Sequence, residues 1–176
     1  MPRHFLSLLA ALSLLLTASC NDAAPHNQEP ETTIQMMTEQ AALQLIQPFY
    51  DFLGGDSTPE EVKPSYHDDW KSYYSNTGSR NMEETLGFVS GPLAQMVPDL
   101  KWAIKEVYLT SQDQIIVRGE ATGTPVGDNF MGTPIEGGKS FTIMSIDIHE
   151  LRDGKIAKTY HVEDWMNAIQ QVAAAG

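Results

Sequence analysis

The sequence predicts an α+β domain, helices first and an antiparallel sheet after, on three observations. Apolar residues recur every three to four positions in the first half of the chain, and the period changes to two in the second half. Ser111-Gln112-Asp113 and Arg152-Asp153-Gly154 are short turns of the kind that join neighbouring strands. Helices and strands segregated in this way pack as helices on one face of a sheet. The 176 residues suit one domain, and a 41% hydrophobic content supplies a core of ordinary size.

The elements follow in order. Ile34, Met37, Ala41, Leu45, Phe49 and Phe52 share one face of a long amphipathic helix, with Thr32 or Thr33 as its N-cap and Gly54-Gly55 as its stop. Thr58-Pro59-Glu60-Glu61 opens a short second helix, capped by Thr58, that runs out near Pro64. His67-Asp68-Asp69-Trp70 is expected in a loop. Met82 to Met96 is a third helical stretch, interrupted by Gly91-Pro92, and Pro98-Asp99 turns the chain into the sheet. Strands are expected over residues 100–110, 114–123, 139–151 and 155–163, after which Asp164 caps a last helix from Trp165 to about Ala173.

Before the domain comes a leader. Arg3, an apolar run over residues 5–16 and small residues ending at Cys20 are the parts of a signal peptide, and the run is shorter than the ~18–20 residues of a membrane-spanning helix. Leu16-Thr17-Ala18-Ser19-Cys20 resembles the lipobox of bacterial lipoproteins, with Thr17 where that family favours leucine. The resemblance implies removal of residues 1–19, a lipid on Cys20, and, with Asn21 next, a membrane anchor at the periplasmic face of the outer membrane. Cys20 is the only cysteine, so it has no internal disulfide partner. Residues 20–33, polar and without apolar periodicity, form a tether, and residues 34–176 the domain. The net charge of −12 leaves no basic stripe for phosphates, which excludes nucleic acid as a partner.

Side chains alternate along strands, so Ser145, Asp147 and His149 share one face and Met144, Ile146 and Ile148 the other. Thr159, His161 and Glu163 likewise oppose Tyr160 and Val162. The Asp153-Gly154 turn sets the two polar rows side by side, so that Asp147 and His161 come within reach, a carboxylate beside an imidazole as general bases need. Pattern alone leaves open whether these rows face a cavity or solvent. If they face a cavity, the row Met144, Ile146, Ile148 needs cover, and a second copy of the sheet would supply it, making a homodimer.

An ordered series of motifs covers nearly everything after the tether: Thr122-Gly123-Thr124-Pro125, Phe130-Met131-Gly132-Thr133-Pro134, Gly137-Gly138-Lys139, Ile146-Asp147-Ile148, Asp153-Gly154-Lys155-Ile156, Tyr160-His161-Val162-Glu163-Asp164-Trp165 and Gln170-Gln171. The series resembles the SnoaL-like polyketide cyclases, or ester cyclases, of the nuclear transport factor 2-like superfold. That resemblance implies a cone-shaped domain, a curved antiparallel sheet wrapped around a long helix, and a hydrophobic cavity between them. Family cyclases close a ring by intramolecular aldol condensation with an acidic residue on the last strand and no metal or cofactor. That position falls on His161 here, with Asp147, Ser145 and Ser72 at neighbouring pocket positions. The expectation is His161 as base, Asp147 orienting it, and Ser72, Ser145 and Trp70 touching a small hydrophobic carbonyl compound.

Other constellations are weaker. His67-Asp68-Asp69 with His161 and Glu163 offers metal-ligand residue types without a metal-site spacing, so no metal is expected. Tyr50, Trp70, Tyr73, Tyr74, Trp102 and Phe130 suit either a cavity lining or plain core, and Trp165 packs the last helix. The rivals to catalysis are a module that only binds a hydrophobic molecule and one whose cavity is filled by side chains.

Overall fold

Thr38, rather than Thr32 or Thr33, opens the first helix of the computed structural model, which describes residues 37–111 and 113–174. Its hydroxyl accepts the Ala41 N–H at 3.2 Å, so α1 runs Glu39–Leu53. Ile34, the signal segment, Cys20 and all of the tether lie outside the described residues. All described elements belong to the compact unit Gln35–Gly176. Gly54 caps α1, and Gly55, at φ 77°, turns the chain away in a conformation that favours glycine. α2 (Pro59–Val62) is opened by Thr58, whose N–H and hydroxyl both reach the Glu61 carboxylate, at 2.8 and 2.9 Å.

The third helical stretch is α3 (Met82–Phe88), a π-turn over Val89–Leu93 and α4 (Ala94–Met96). Gly91-Pro92 therefore loosens the helix without ending it; the missing proline N–H falls where the wider turn asks for none. α5 (Trp165–Val172) closes the fold, with Asp164 accepting the Asn167 N–H at 3.1 Å. No helix among the described residues is long and apolar enough to cross a membrane.

The sheet holds β1 (Tyr66–Tyr73), β2 (Ser79–Arg80), β3 (Lys101–Leu109), β4 (Gln114–Gly123), β7 (Phe141–Arg152) and β8 (Lys155–Glu163) in the order β2-β1-β8-β7-β4-β3. A small separate hairpin, β5 (Asn129–Phe130) with β6 (Thr133–Pro134), had no counterpart in the sequence reading. Bulges in β3–β4 and in β7–β8 bend the strands and curve the sheet. Asp153 and Gly154, at φ 53° and 74°, make the two-residue turn that sets the β7–β8 register.

One expectation is overturned: His67-Asp68-Asp69-Trp70 belongs to a strand, β1, not a loop. β1 pairs parallel with β8, so the sheet is mostly, not wholly, antiparallel. The acidic pair misled because it sits where the β1–β8 pairing is irregular, between Tyr66 and Lys71, and remains in solvent while Tyr66 and Trp70 are buried. Behind the sheet α1 buries Ala42, Ile46, Phe49 and Tyr50. The Phe49 ring lies 5.8 Å from Tyr66 and 6.2 Å from Trp70.

Candidate functional site

The fold settles which face of β7 and β8 turns inward, and it is the polar one. Ser145, Asp147 and His149 are 1%, 6% and 0% exposed, whereas Met144 on the opposite face is 52% exposed. Asp147 and His161 stand directly opposite each other across β7–β8. Two residues further along β8, Glu163 shares the inner face with His161.

These three residues meet at a cavity of about 290 Å³, at the small end of ligand pockets. Phe49 and Leu53 of α1, Phe88 and Leu93 of the third helical stretch, Trp102 and Trp165 supply most of its apolar wall. Its polar lining is Ser72, Arg80, Thr85, Asp147, Thr159, His161 and Glu163. Gly119 makes room beside it: a methyl group there would run into Ser145 Oγ and come within 2.9 Å of Trp102 Nε1. The absent side chain lets Trp102 donate to Ser145 Oγ at 3.1 Å, and Ser145 donates on to Asp147 Oδ2 at 3.4 Å.

The partner that orients His161 is Glu163, not Asp147 as the sequence suggested. His161 Nδ1 lies 2.6 Å from Glu163 Oε1, and Trp165 Nε1 donates to the other carboxylate oxygen at 3.1 Å. The carboxylate is pinned from two sides, and Nε2 is left as the ring nitrogen without a hydrogen bond among the described residues. Burial lowers the His161 pKa, but the hydrogen bond and charge of Glu163, with the charge of Asp147, outweigh it, and the imidazole ends above its ordinary value. Burial pushes the Asp147 carboxyl up to about 7, and the charge of Glu163 adds to this against His161, Tyr50 and Ser145.

Behind Asp147 runs a buried chain of hydrogen bonds. Trp70 Nε1 donates to Thr159 Oγ1 at 3.0 Å, Thr159 Oγ1 lies 2.9 Å from His149 Nδ1, and His149 Nε2 lies 3.3 Å from the Tyr50 hydroxyl, which hydrogen-bonds Asp147. Burial, then the charge of Asp147, holds the Tyr50 phenol well above its usual range, so it remains a donor. When Asp147 is ionised the Tyr50 proton must point at it. His149 Nε2–H then donates to Tyr50, and Nδ1 accepts from Thr159. Burial, helped by the charge of His161, pushes His149 down to about 3, so the ring is neutral at physiological pH.

The remaining predicted residues are distributed as follows. Ser72 lines the cavity, while Ser145 stands one layer behind it, supporting Asp147. Trp70 is core, because its ring packs on Phe49 and Tyr66 and its N–H is used by Thr159. His67 and Asp69 both pair with Arg152 at the β7–β8 turn, where Arg152 stands opposite Lys155, six positions before His161 on β8. The residues weighed for a metal thus fall into two groups, and His161 and Glu163 gather instead with Asp147, the three offering donor atoms within 4.8 Å of one another. A cation there would have to replace the His161–Glu163 hydrogen bond.

Sequence reasoning missed Arg80 and Thr85, gave Tyr50 no polar role, and weighed Glu163 only as a metal donor. Glu163 was within its reach, since residues two apart on a strand share a face.

The family profile described as SnoaL-like polyketide cyclase matches residues 44–172 of this chain. Among solved structures, TsrD from Streptomyces laurentii is similar with a TM-score of 0.65 at 20% identity, over 79% of this chain and 99% of that one. A candidate SnoaL-like polyketide cyclase from Jannaschia sp. CCS1 reaches a TM-score of 0.65 at 16% identity, over 81% and 99%. IdmH from Streptomyces antibioticus, described as a candidate polyketide cyclase, reaches 0.62 at 24% identity, over 75% and 97%. Identities this low speak for the fold alone. No curated protein matches the chain significantly.

Proposed function

The chain belongs to the SnoaL-like polyketide cyclase family, and we propose that its cavity performs proton-transfer chemistry, by side chains alone, on a small hydrophobic carbonyl compound. The observation that carries this reading is the grouping of Asp147, His161 and Glu163 on the wall of an otherwise apolar cavity. His161 Nε2 takes a proton from the carbon beside the carbonyl, and the electron pair left behind forms an enolate. Glu163 holds Nδ1–H and stabilises the imidazolium that results. Asp147, a carboxyl raised to about 7 and so partly protonated at neutral pH, donates to the enolate oxygen. An enol held in this way can be reprotonated elsewhere or attack a second carbonyl of the same molecule, which is the ring closure that the family name describes.

The test is deuterium exchange, followed by NMR, at the acidic C–H positions of β-keto esters and 1,3-diketones. The full chain should exchange them well above the buffer rate, and His161→Gln, with folding intact, should lose roughly a hundredfold or more. No exchange by either protein would leave a binding module. Exchange should follow a bell-shaped pH profile near neutrality, rising as His161 gives up its proton and falling as the Asp147 carboxyl does, with both limbs belonging to the coupled cluster.

The same proposal places the domain in the bacterial envelope, lipidated on Cys20, on the strength of the leader sequence. Incorporation of labelled palmitate that vanishes in Cys20→Ala is the expected result. It also pairs two copies of the chain over the outer face of β7 and β8, where Met144, Tyr160 and Val162 are exposed.

A further inference from the structure

We propose that Arg80, with Ser72, forms an anion subsite in the cavity that takes a carboxylate carried by the substrate, so that the preferred compound is a hydrophobic carbonyl acid and not its neutral ester. This deepens the reading of the cavity as a substrate site and rests on it.

The placement comes from strand register. Arg80 on β2 stands directly opposite Ser72 on β1, and Ser72 stands opposite Thr159 on β8, two residues before His161. All four residues line the cavity, so a guanidinium and a hydroxyl share the wall that carries the base. The guanidinium packs over two rings, its Cζ 4.5 Å from the centroid of Tyr74 and 4.4 Å from that of Phe88. Ring contacts of this kind use none of the N–H groups that bind carboxylates in a fork, and leave them for another partner.

No carboxylate among the described residues fills that role. The chain carries 23 acidic residues against 11 Lys and Arg, and Lys101, Lys105, Arg118 and Arg152 all take acidic partners. Arg80 makes no such ion pair among the described residues, although Glu83 and Glu84 follow it closely; Glu84 instead accepts the Asn81 N–H at 2.8 Å. Thr85 lines the same cavity, but its hydroxyl oxygen, without a partner among the described residues, is enclosed in the wall, so the polar groups that can meet the anion are Arg80 and Ser72.

Charge also sets the direction of the ligand. Asp147 and Glu163 repel an anion from their end of the cavity, and Arg80 attracts it to the other group of polar residues. A carboxylate on Arg80 therefore leaves the apolar body of the ligand among Phe49, Leu93 and Trp102, with its carbonyl free to approach His161 and Asp147.

The probe is a matched pair, 2-naphthoate and its methyl ester, titrated into the full chain by calorimetry at low salt. The acid should bind at least tenfold more tightly than the ester. Arg80→Gln should lose tenfold to a hundredfold on the acid and little on the ester, and Arg80→Lys should recover part of the loss. Equal binding of acid and ester to the unaltered chain, or an acid preference that survives in Arg80→Gln with its melting temperature unchanged, overturns the subsite. The comparison on the unaltered chain stands even if the variant does not fold. Binding is read without turnover, so the two ideas fail separately. Acid preference without deuterium exchange keeps the subsite and removes the catalysis, and exchange without acid preference does the reverse.

Discussion

The two faces of the β7–β8 pair invert the usual arrangement of a sheet. On the inner face Ser145, Asp147, His149 and Thr159 are buried; on the outer face Met144, Tyr160 and Val162 meet solvent, with Val162 65% exposed. Burial of polar groups costs least when they are paired, and the inner row is paired: Trp102 to Ser145 to Asp147, Trp70 to Thr159 to His149 to Tyr50. A polar row turned inward, at some expense to stability, is the feature on which the proposed proton transfer rests. An apolar row turned outward marks where a partner would sit.

The sharpest way to break this contrast is to remove the buried charge. The folded protein holds a proton on Asp147 up to about pH 7 that the unfolded chain releases near 3.8, so this group's contribution is present at low pH and is lost as pH rises through that window. Asp147→Asn carries no such proton. Its stability relative to the unaltered protein should grow from pH 4 to pH 7 by on the order of 4 kcal/mol and then level off, as urea denaturation at a series of pH values would show. His149, pushed down to about 3, contributes in the opposite sense, its part being lost as pH falls below about 6.5; it is common to both proteins and drops out of the difference. A flat difference across the window would remove the strained carboxyl from the account.

A smaller effect is expected at Gly119, where an alanine methyl meets Ser145 Oγ and Trp102 Nε1. The cost should be about 1–3 kcal/mol in thermal or urea unfolding, because neither neighbour can move without breaking the inner row. Alanine tolerated without loss would mean that this side of the cavity is loosely packed.

Tyr50→Phe sharpens the contrast at nearly constant volume. It removes a donor that favours the charged form of Asp147, so the high-pH limb of the exchange profile should move upward and, with less charge on Asp147 to hold the imidazole's proton, the low-pH limb should move downward. Nitrogen NMR should find His149 protonated on Nε2 in the unaltered protein above pH 7, as the direction of the buried chain requires. Protonation on Nδ1 would reverse that chain.

The smallest effect on folding belongs to the outer face. Met144→Lys and Val162→Glu should each change the stability of the single chain by no more than about 0.5 kcal/mol, the ordinary range for exposed positions. Light scattering should nevertheless show them shifting the protein from dimer to monomer. A monomeric unaltered chain would leave the outer row as bare surface.

Much of the fold was legible because its signals are local. The Thr58 and Asp164 caps, the Asp153-Gly154 turn and the period-two strands each express chemistry within a few residues. β1 was not legible: its strand character comes from parallel pairing with β8, some ninety residues away, and its surface acids resemble a loop. In the site, the pairing of Asp147 with His161 followed from one turn and one alternation. The transfer of the orienting role to Glu163 did not, because it depends on side-chain direction and on Trp165 arriving from the last helix.

The sequence by itself determined which residues share a face, since alternation along a strand is a matter of backbone geometry and holds before anything is packed. It also determined the register of the β7–β8 hairpin. Only the tertiary structure decided which face is the inside. That choice depends on α1 and the third helical stretch closing over one side of the sheet, and on Tyr50, Trp70 and Trp102, distant in the chain, supplying the hydrogen bonds that make a buried polar row affordable. Arg80 and Thr85 entered the site for the same reason: local pattern carries no information about which strands and helices will meet around a cavity.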